Sequence, residues 1–420
     1  MKTINSKICF GIVLFLMCSC SSYPAADTGK PITPSQPDIT DARPSPTTTR
    51  LISTKTIAAT KKIQPSSTST IAAPALTAAS KDLQKPDPFP LSKPGDLKVG
   101  RLEFAFKDPG RDDREVSIFI WYPAVLPEGQ EEEVVKGALP DPDQAPYPLI
   151  LSSAKTAGNF APHLVSHGFV VAGIRNLDYY EPWDQNLVDQ PRDYLFVLNQ
   201  IGSAAPAGLE GMVDAGRSGV MGYSFDGYNS LALSGARIDP AFYLEQCKNP
   251  PFSEPPLSEW RIWYFCDLAS HWEEFVVNAG DYVPDNGSEL WEPLSDRRIQ
   301  AVMPMAPEGS WLFGERGLAA VDRPTLIIGG TEDAGDHNCP YDTEAAYIFE
   351  QLGTPDKTLV SFIGEGHSMI NKPDPLARMK HLAAAFFGYH LQGRAEYKTY
   401  LSEETINQNE DLYWGVYQGE

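Results

Sequence analysis

The sequence predicts an α/β protein with a mostly parallel central sheet and helices on both faces. Three observations carry that expectation: a series of short, continuously apolar runs, helical stretches between them, and 42 of the 45 aromatic residues placed within residues 89–420. Strands buried on both faces must be apolar throughout, which separates them from half-buried strands that alternate. Four such runs are Pro148-Leu149-Ile150-Leu151, Phe169-Val170-Val171-Ala172, Gly219-Val220-Met221-Gly222 and Ile299-Gln300-Ala301-Val302-Met303. Pro324 to Ile328 and Thr358 to Phe362 extend the series. Helical patterns fall between or after them at Pro191–Ile201, Gly227–Ala236, Tyr341–Leu352 and Pro375–Leu391. That is a βαβ succession. Ahead of it, Arg101–Lys107 and Glu115–Tyr122 alternate apolar and polar residues, as antiparallel strands with one solvated face do.

One interval breaks the rhythm. Residues 238–295 hold two Pro-Pro pairs and the aromatics Trp260, Trp263, Tyr264, Phe265, Trp272, Phe275 and Trp291. They read as a cap inserted between sheet elements, whose rings are expected to pack mainly on one another and jointly to wall a partly apolar pocket.

The N-terminus reads as an address. Lys2 and Lys7 precede the apolar stretch Ile8–Met17, about the length of a signal-peptide core. The stretch closes in Leu16-Met17-Cys18-Ser19-Cys20, which resembles the lipobox of bacterial lipoproteins, with cleavage before Cys20 and lipid attachment to its thiol. An ordinary secretory signal with incidental cysteines is the alternative, and either predicts export. Residues 21–95 then read as a tether. From residue 46 to 80, 24 of 35 residues are Ser, Thr, Pro or Ala, too few apolar groups to offset the entropy of ordering. The domain expected from these shifts spans residues 96–420.

Charge narrows the partners. The chain carries a net −21, and residues 1–95 have six more cations than anions, so the remainder carries −27. Such a body repels phosphate backbones, which argues against nucleic acid. No apolar run of 18 residues occurs, so contact with a membrane is expected through the lipid anchor alone. Cys247, Cys266 and Cys339 remain in the domain, and Cys247 with Cys266 is the expected disulfide because both lie in the insertion. Three unpaired thiols are the alternative.

The chemistry concentrates at three strand ends. Gly222-Tyr223-Ser224-Phe225-Asp226-Gly227 follows the third buried run and precedes a helix, the setting of a nucleophile elbow, where a sharp turn projects the serine oxygen above the sheet edge. A serine hydroxyl needs a base to take its proton and an acid to orient that base. Asp333 follows the next-but-one strand in Gly330-Thr331-Glu332-Asp333, and His367 follows the strand after that in Gly364-Glu365-Gly366-His367. The order Ser224, Asp333, His367 matches the expected serine–acid–histidine sequence. Glu332 or Asp336 could replace Asp333 as the acid. Asp333, Asp336, His337 and Cys339 offer metal-ligand chemistry too, but no second ligand cluster accompanies them.

With these residues in place, positions 96–392 resemble an α/β-hydrolase of the predicted dienelactone hydrolase group, and are similar also to platelet-activating-factor acetylhydrolases. The stretches that carry the resemblance are Val116–Ala124 with its Trp121-Tyr122-Pro123, Gln190–Leu198, the serine turn through Leu231–Arg237, Leu294–Arg298, and Gly364–His367. The resemblance implies an α/β-hydrolase fold, Ser224 as nucleophile, Asp333 as acid and His367 as base. By position it implies that the backbone amides of Phe225 and Lys155 form the oxyanion hole. Two departures stand out. Asp226 occupies a position that relatives usually fill with Gly, and Ser152-Ser153-Ala154-Lys155 replaces their Ser-His-Gly stretch. An ion pair between Lys155 and Asp226 is the expected brace for that loop. The function expected is an exported serine esterase acting through an acyl-enzyme, with no metal or organic cofactor. A neutral or hydrophobic small ester is the expected substrate, given the acidic body. The alternative is an inactive surface lipoprotein that binds rather than hydrolyses.

Overall fold

Six parallel strands form the centre of the protein. The computed structural model describes residues 87–419 apart from 128, 131, 176–181, 251–256, 286–288 and 335–338. The expected signal, Cys20 and most of the tether lie outside the described residues, as do Asp336 and His337. The central strands are β5 (Tyr147–Ser153), β6 (Val170–Ile174), β7 (Val213–Tyr223), β8 (Ile299–Met305), β9 (Thr325–Gly330) and β10 (Lys357–Phe362). They lie in the order β10-β9-β8-β7-β5-β6. Every residue of β5, β6 and β9 is buried, which is why those runs carry no polar alternation.

Antiparallel strands flank that centre. β1 (Lys98–Asp108) pairs with β2 (Arg114–Val125), and β2 pairs with β6. Short strands β3 (Val134–Lys136), β4 (Leu139–Pro140) and β11 (Leu412–Trp414) complete an eleven-stranded sheet. The protein is thus α/β with a largely parallel mixed sheet.

Alternate residues of each strand feed two cores on opposite faces. On one face Ile150, Val171, Met221, Met303 and Val360 pack with α1 (Ala154–Ser166) and α9 (Pro373–Gln392), through Phe160, Leu164, Leu382 and Phe387. On the other, Leu149, Leu151, Val170, Val220 and Val302 pack with α2 (Asn186–Ser203), through Tyr194, Val197 and Leu198. Tyr228 and Leu231 of α3 (Phe225–Leu233) continue this layer into the aromatic cluster of the insertion.

The insertion forms α4 (Pro240–Lys248), α5 (Glu259–Ser270) and α6 (Trp272–Ala279). Asp239 and Ser258 cap α4 and α5 by accepting the amides of Phe242 and Arg261. Its rings pack mostly on each other, with Trp272 and Phe275 against Trp291, and Phe265 between Trp183 and Trp311. Three further helices follow: α7 (Ser310–Leu318), α8 (Tyr347–Gln351), introduced by a π-helical turn at Asp342–Ala346, and α10 (Glu403–Ile406).

Packing begins before residue 96. Leu91 donates its amide to His381 Nδ1, and Gly95 donates to Ser166 Oγ, so this stretch lies on α1 and α9. Cys247 and Cys266 are joined by a disulfide with 19 residues of sequence separation, and Cys339 is buried and free. Closing a loop of that length restricts the unfolded chain by about 3 kcal/mol. The double variant Cys247→Ser/Cys266→Ser is therefore expected to unfold at lower denaturant by about that free energy, and unchanged unfolding would contradict a structural role for the bridge.

Candidate active site

The site grows from the end of β7. Ser224 links β7 to α3 with φ +63° and ψ −127°, a conformation rare for a side-chain-bearing residue and costing about 1–3 kcal/mol. Its surroundings hold it there: Ser224 N–H donates to Met305 O at 2.9 Å, and Gly227 N–H donates to Ser224 O at 2.8 Å. The flanking glycines are steric necessities. A Cβ on Gly222 would lie 2.1 Å from the Asp226 carbonyl oxygen, and one on Gly227 would lie 2.8 Å from Pro307 Cα. Strand and helix can therefore cross closely while the serine side chain stays half-buried between them.

Asp333 and His367 reach the serine on two loops fastened to each other. Thr331 N–H donates to Phe362 O at 3.0 Å, Glu332 N–H to Glu365 O at 2.9 Å, and Gly364 N–H to Thr331 Oγ1 at 2.9 Å. Tyr223, the residue before the serine, donates its hydroxyl to the His367 carbonyl at 2.7 Å. The histidine loop is thus tied to both neighbouring loops, a role for Tyr223 that the sequence did not signal.

These ties bring together all three side chains singled out at the strand ends. His367 Nδ1 lies 2.8 Å from Asp333 Oδ2, and His367 Nε2 lies 2.9 Å from Ser224 Oγ. Asp333, not Glu332, is the acid bonded to the imidazole. It is 2% exposed, whereas the His367 side chain is 21% exposed. A carboxylate that only accepts fixes the proton on Nδ1 and leaves the Nε2 lone pair to accept the Ser224 hydroxyl hydrogen. The arrangement can therefore draw a proton from the serine oxygen and stabilise the imidazolium so formed.

Two helix N-termini border the serine. Phe225 is the first residue of α3, and Lys155 is the second of α1, whose N-cap Ser153 accepts the Thr156 amide. Amides in a first helical turn point along the axis toward negative charge.

Asp226 ties these two helices together, though not as an ion pair with Lys155. Its carboxylate is buried, with the residue 5% exposed, and accepts Ser153 N–H at 3.0 Å and the Tyr194 hydroxyl. Lys155 is exposed, and the described contacts of Asp226 are neutral donors. The expected brace is thus corrected: the carboxylate points inward, where it meets a backbone amide that needs an acceptor. Burial raises the Asp226 pKa, while the bonds from Tyr194, Ser153 and Thr156 oppose that rise.

A second group of buried polar side chains adjoins the first, and nothing in the sequence pattern marked it. Glu308 follows β8 on the loop that packs against Gly227, and Tyr264 of α5 lies 3.2 Å from its Oε1. Burial raises the Glu308 pKa, and His367 lies within reach of its charge. Glu344 accepts Ser310 N–H at 3.0 Å through Oε2, while its Oε1 has no partner. Burial pushes the Glu344 pKa up to about 8. Among the described residues no group of three His, Cys, Asp or Glu side chains is placed to hold a metal ion. No family model matches this sequence, and no curated protein matches it.

Two predictions follow from the buried acids. Asp226→Ala leaves the Ser153 amide and Tyr194 hydroxyl without their acceptor and is expected to cost about 1–3 kcal/mol of stability, read by denaturant unfolding; an unchanged midpoint would show that these bonds carry no weight. For Glu344 the unfolded carboxyl loses its proton near pH 4.5, whereas the folded one keeps it to about pH 8. The folded state then binds the extra proton, so wild-type stability falls as pH rises through that window. Glu344→Gln, which cannot ionise, is expected to match wild type below pH 4.5 and to exceed it at pH 8, and parallel stability curves would refute the assignment.

Proposed function

We propose that the chain is an exported serine hydrolase of carboxylic esters, built on an α/β-hydrolase fold. The observation that carries this reading is the unbroken hydrogen-bond chain from Ser224 through His367 to Asp333. The mixed sheet, the strained turn at Ser224 and the placement of acid and base on the loops after β9 and β10 support the same fold. So does the resemblance to dienelactone hydrolases and platelet-activating-factor acetylhydrolases.

In the reaction, Ser224 Oγ attacks the ester carbonyl while His367 Nε2 takes its proton. Asp333 holds the imidazole in the productive tautomer and offsets the charge it gains. The amides of Phe225 and Lys155 receive the developing oxyanion, each such donor contributing about 3 kcal/mol. Collapse of the tetrahedral intermediate expels the alcohol, which takes its proton from His367. Water, activated by the same imidazole, then attacks the acyl-serine and releases the acid. Protein groups and water suffice for every step.

Export and lipid anchoring at Cys20 are proposed from the first twenty residues, and the Cys247–Cys266 disulfide is consistent with an oxidising compartment. An inactive binding role was motivated by Asp226 and the altered loop at Ser153. Since Asp226 accepts the Ser153 amide, that departure supports the loop, and the hydrolase reading fits the geometry better.

Purified wild-type protein is expected to hydrolyse p-nitrophenyl esters. Ser224→Ala and His367→Ala should each lower kcat by about 10⁴-fold or more. Hydrolysis that survives Ser224→Ala at the wild-type rate would overturn this function.

A further inference from the structure

Residues 87–95 lie as a strap across the last turn of α1 and the middle of α9, and three histidines grip it. Leu91 sits in a short 3₁₀ turn, Pro90–Ser92. Its amide donates to His381 Nδ1 at 3.1 Å, and its carbonyl faces His163. Lys93 O lies 3.0 Å from His167 Nε2, and Gly95 N–H donates to Ser166 Oγ at 2.8 Å. Phe89 stands edge-on to the His381 ring at 5.4 Å, and Tyr400 approaches the same ring at 4.9 Å.

The grip requires neutral imidazoles. A ring nitrogen that accepts an amide hydrogen carries no proton of its own, so His381 Nδ1 is bare. His163 Nε2 is buried with no partner among the described residues, and the His163 and His167 rings lie 4.7 Å apart. A proton on His381 Nδ1 would displace the Leu91 amide. One on His163 Nε2 would create a buried cation with nothing to receive its hydrogen.

The surrounding charges do not offset this cost. From the strap, Asp87 favours protonation of His381 and Asp96 that of His167, while Lys93 pairs with Asp87 at 2.7 Å. From α9, Lys380 opposes protonation of His163, although Glu133 is near it, and Arg378 lies over Phe89 at 5.5 Å. Arg394, just beyond α9, opposes protonation of His167. Burial outweighs all of these. It lowers the three histidine pKa values, that of His381 to about 4 and that of His163 to about 3.

We propose that residues 87–95 are an acid-released strap, held on α1 and α9 by uncharged His163, His167 and His381 and freed when these take up protons. Opening admits water to the rings, where an imidazole ionises near about pH 6.5. Docking is therefore at full strength above that pH. It weakens as pH falls toward about 4, because across that window the open form binds protons that the docked form refuses. Release frees up to about 30 Å of extended chain at the N-terminal edge of the domain. The reach of the domain from whatever holds the preceding residues thus increases on acidification. The device is independent of the chemistry at Ser224.

Hydrogen exchange of the full chain, read by mass spectrometry and corrected for the intrinsic pH dependence of exchange, tests this. Between about pH 7.5 and about pH 4.5, protection of residues 87–97 is expected to fall at least tenfold, while β7 and β8 keep theirs. Lys93 holds the Asp87 carboxyl below its usual range, so Asp87 stays ionised throughout and the change reports the histidines. In the double variant His163→Gln/His381→Gln two of the three titrating rings are gone, and the strap is expected to lose far less protection. Unchanged wild-type protection, or an equal fall in the double variant, overturns the proposal. Loss of protection in the strap and the central strands together also overturns it, since that is global acid unfolding. Should the double variant not fold, His381→Gln alone decides. It keeps an acceptor for the Leu91 amide and is expected to show a smaller fall than wild type, and a fall of the same size refutes the strap.

Discussion

His367 must touch two groups that arise on different strands, and the remainder of the site is organised around that demand. β7 and β10 are separated by β8 and β9, so roughly 14 Å of sheet lies between the strand bearing Ser224 and the strand preceding His367. An imidazole cannot span that gap from the strand end itself. The loop after β10 leans back across β9, held by the Glu332–Glu365 backbone bond and by Tyr223, until Nε2 meets Ser224 Oγ. Parallel strand direction makes this feasible, because it brings the serine, the acid and the histidine to one edge. The strain at Ser224 is compensated by the same neighbours, chiefly the Met305 carbonyl that accepts its amide.

Electrostatics divides the molecule into two regimes. The surface is strongly acidic, and water and salt screen it. The interior beside the candidate site contains several buried carboxyls and a buried guanidinium, where desolvation dominates. There Asp226 and Glu344 are pushed toward their neutral forms, and the Arg261 guanidinium lies within reach of the buried Glu308 and Glu344. Net charge read from the sequence describes the first regime and says little about the second.

The parallel strands were legible in the sequence because full burial favours unbroken apolar runs, which β5 to β9 each contain and which only Ser361 interrupts at the buried end of β10. Ser224, Asp333 and His367 were legible because each follows such a run and their order is constrained by the chemistry. Helix α1 was not, since Gly158 and Pro162 interrupt its pattern while tertiary packing sustains it. The stretch from Tyr341 was expected to be one helix, but a π-helical turn precedes α8. Asp226 looked like a surface charge because an acid in a first helical turn is common there; the Tyr194 hydroxyl and the nearby Ser153 amide draw it inward. Arg261, Glu308 and Glu344 were invisible for a related reason. A charged residue alone in a sequence resembles a solvated one, and its burial depends on elements distant along the chain.

The central claim is that Ser224 is an activated nucleophile. Reaction with a fluorophosphonate probe followed by peptide mapping tests it most directly. One equivalent of phosphonyl group should attach to the Ser224 peptide, and none to the Ser224→Ala protein. No adduct under conditions that label a control esterase, or an adduct persisting in Ser224→Ala, would contradict the account.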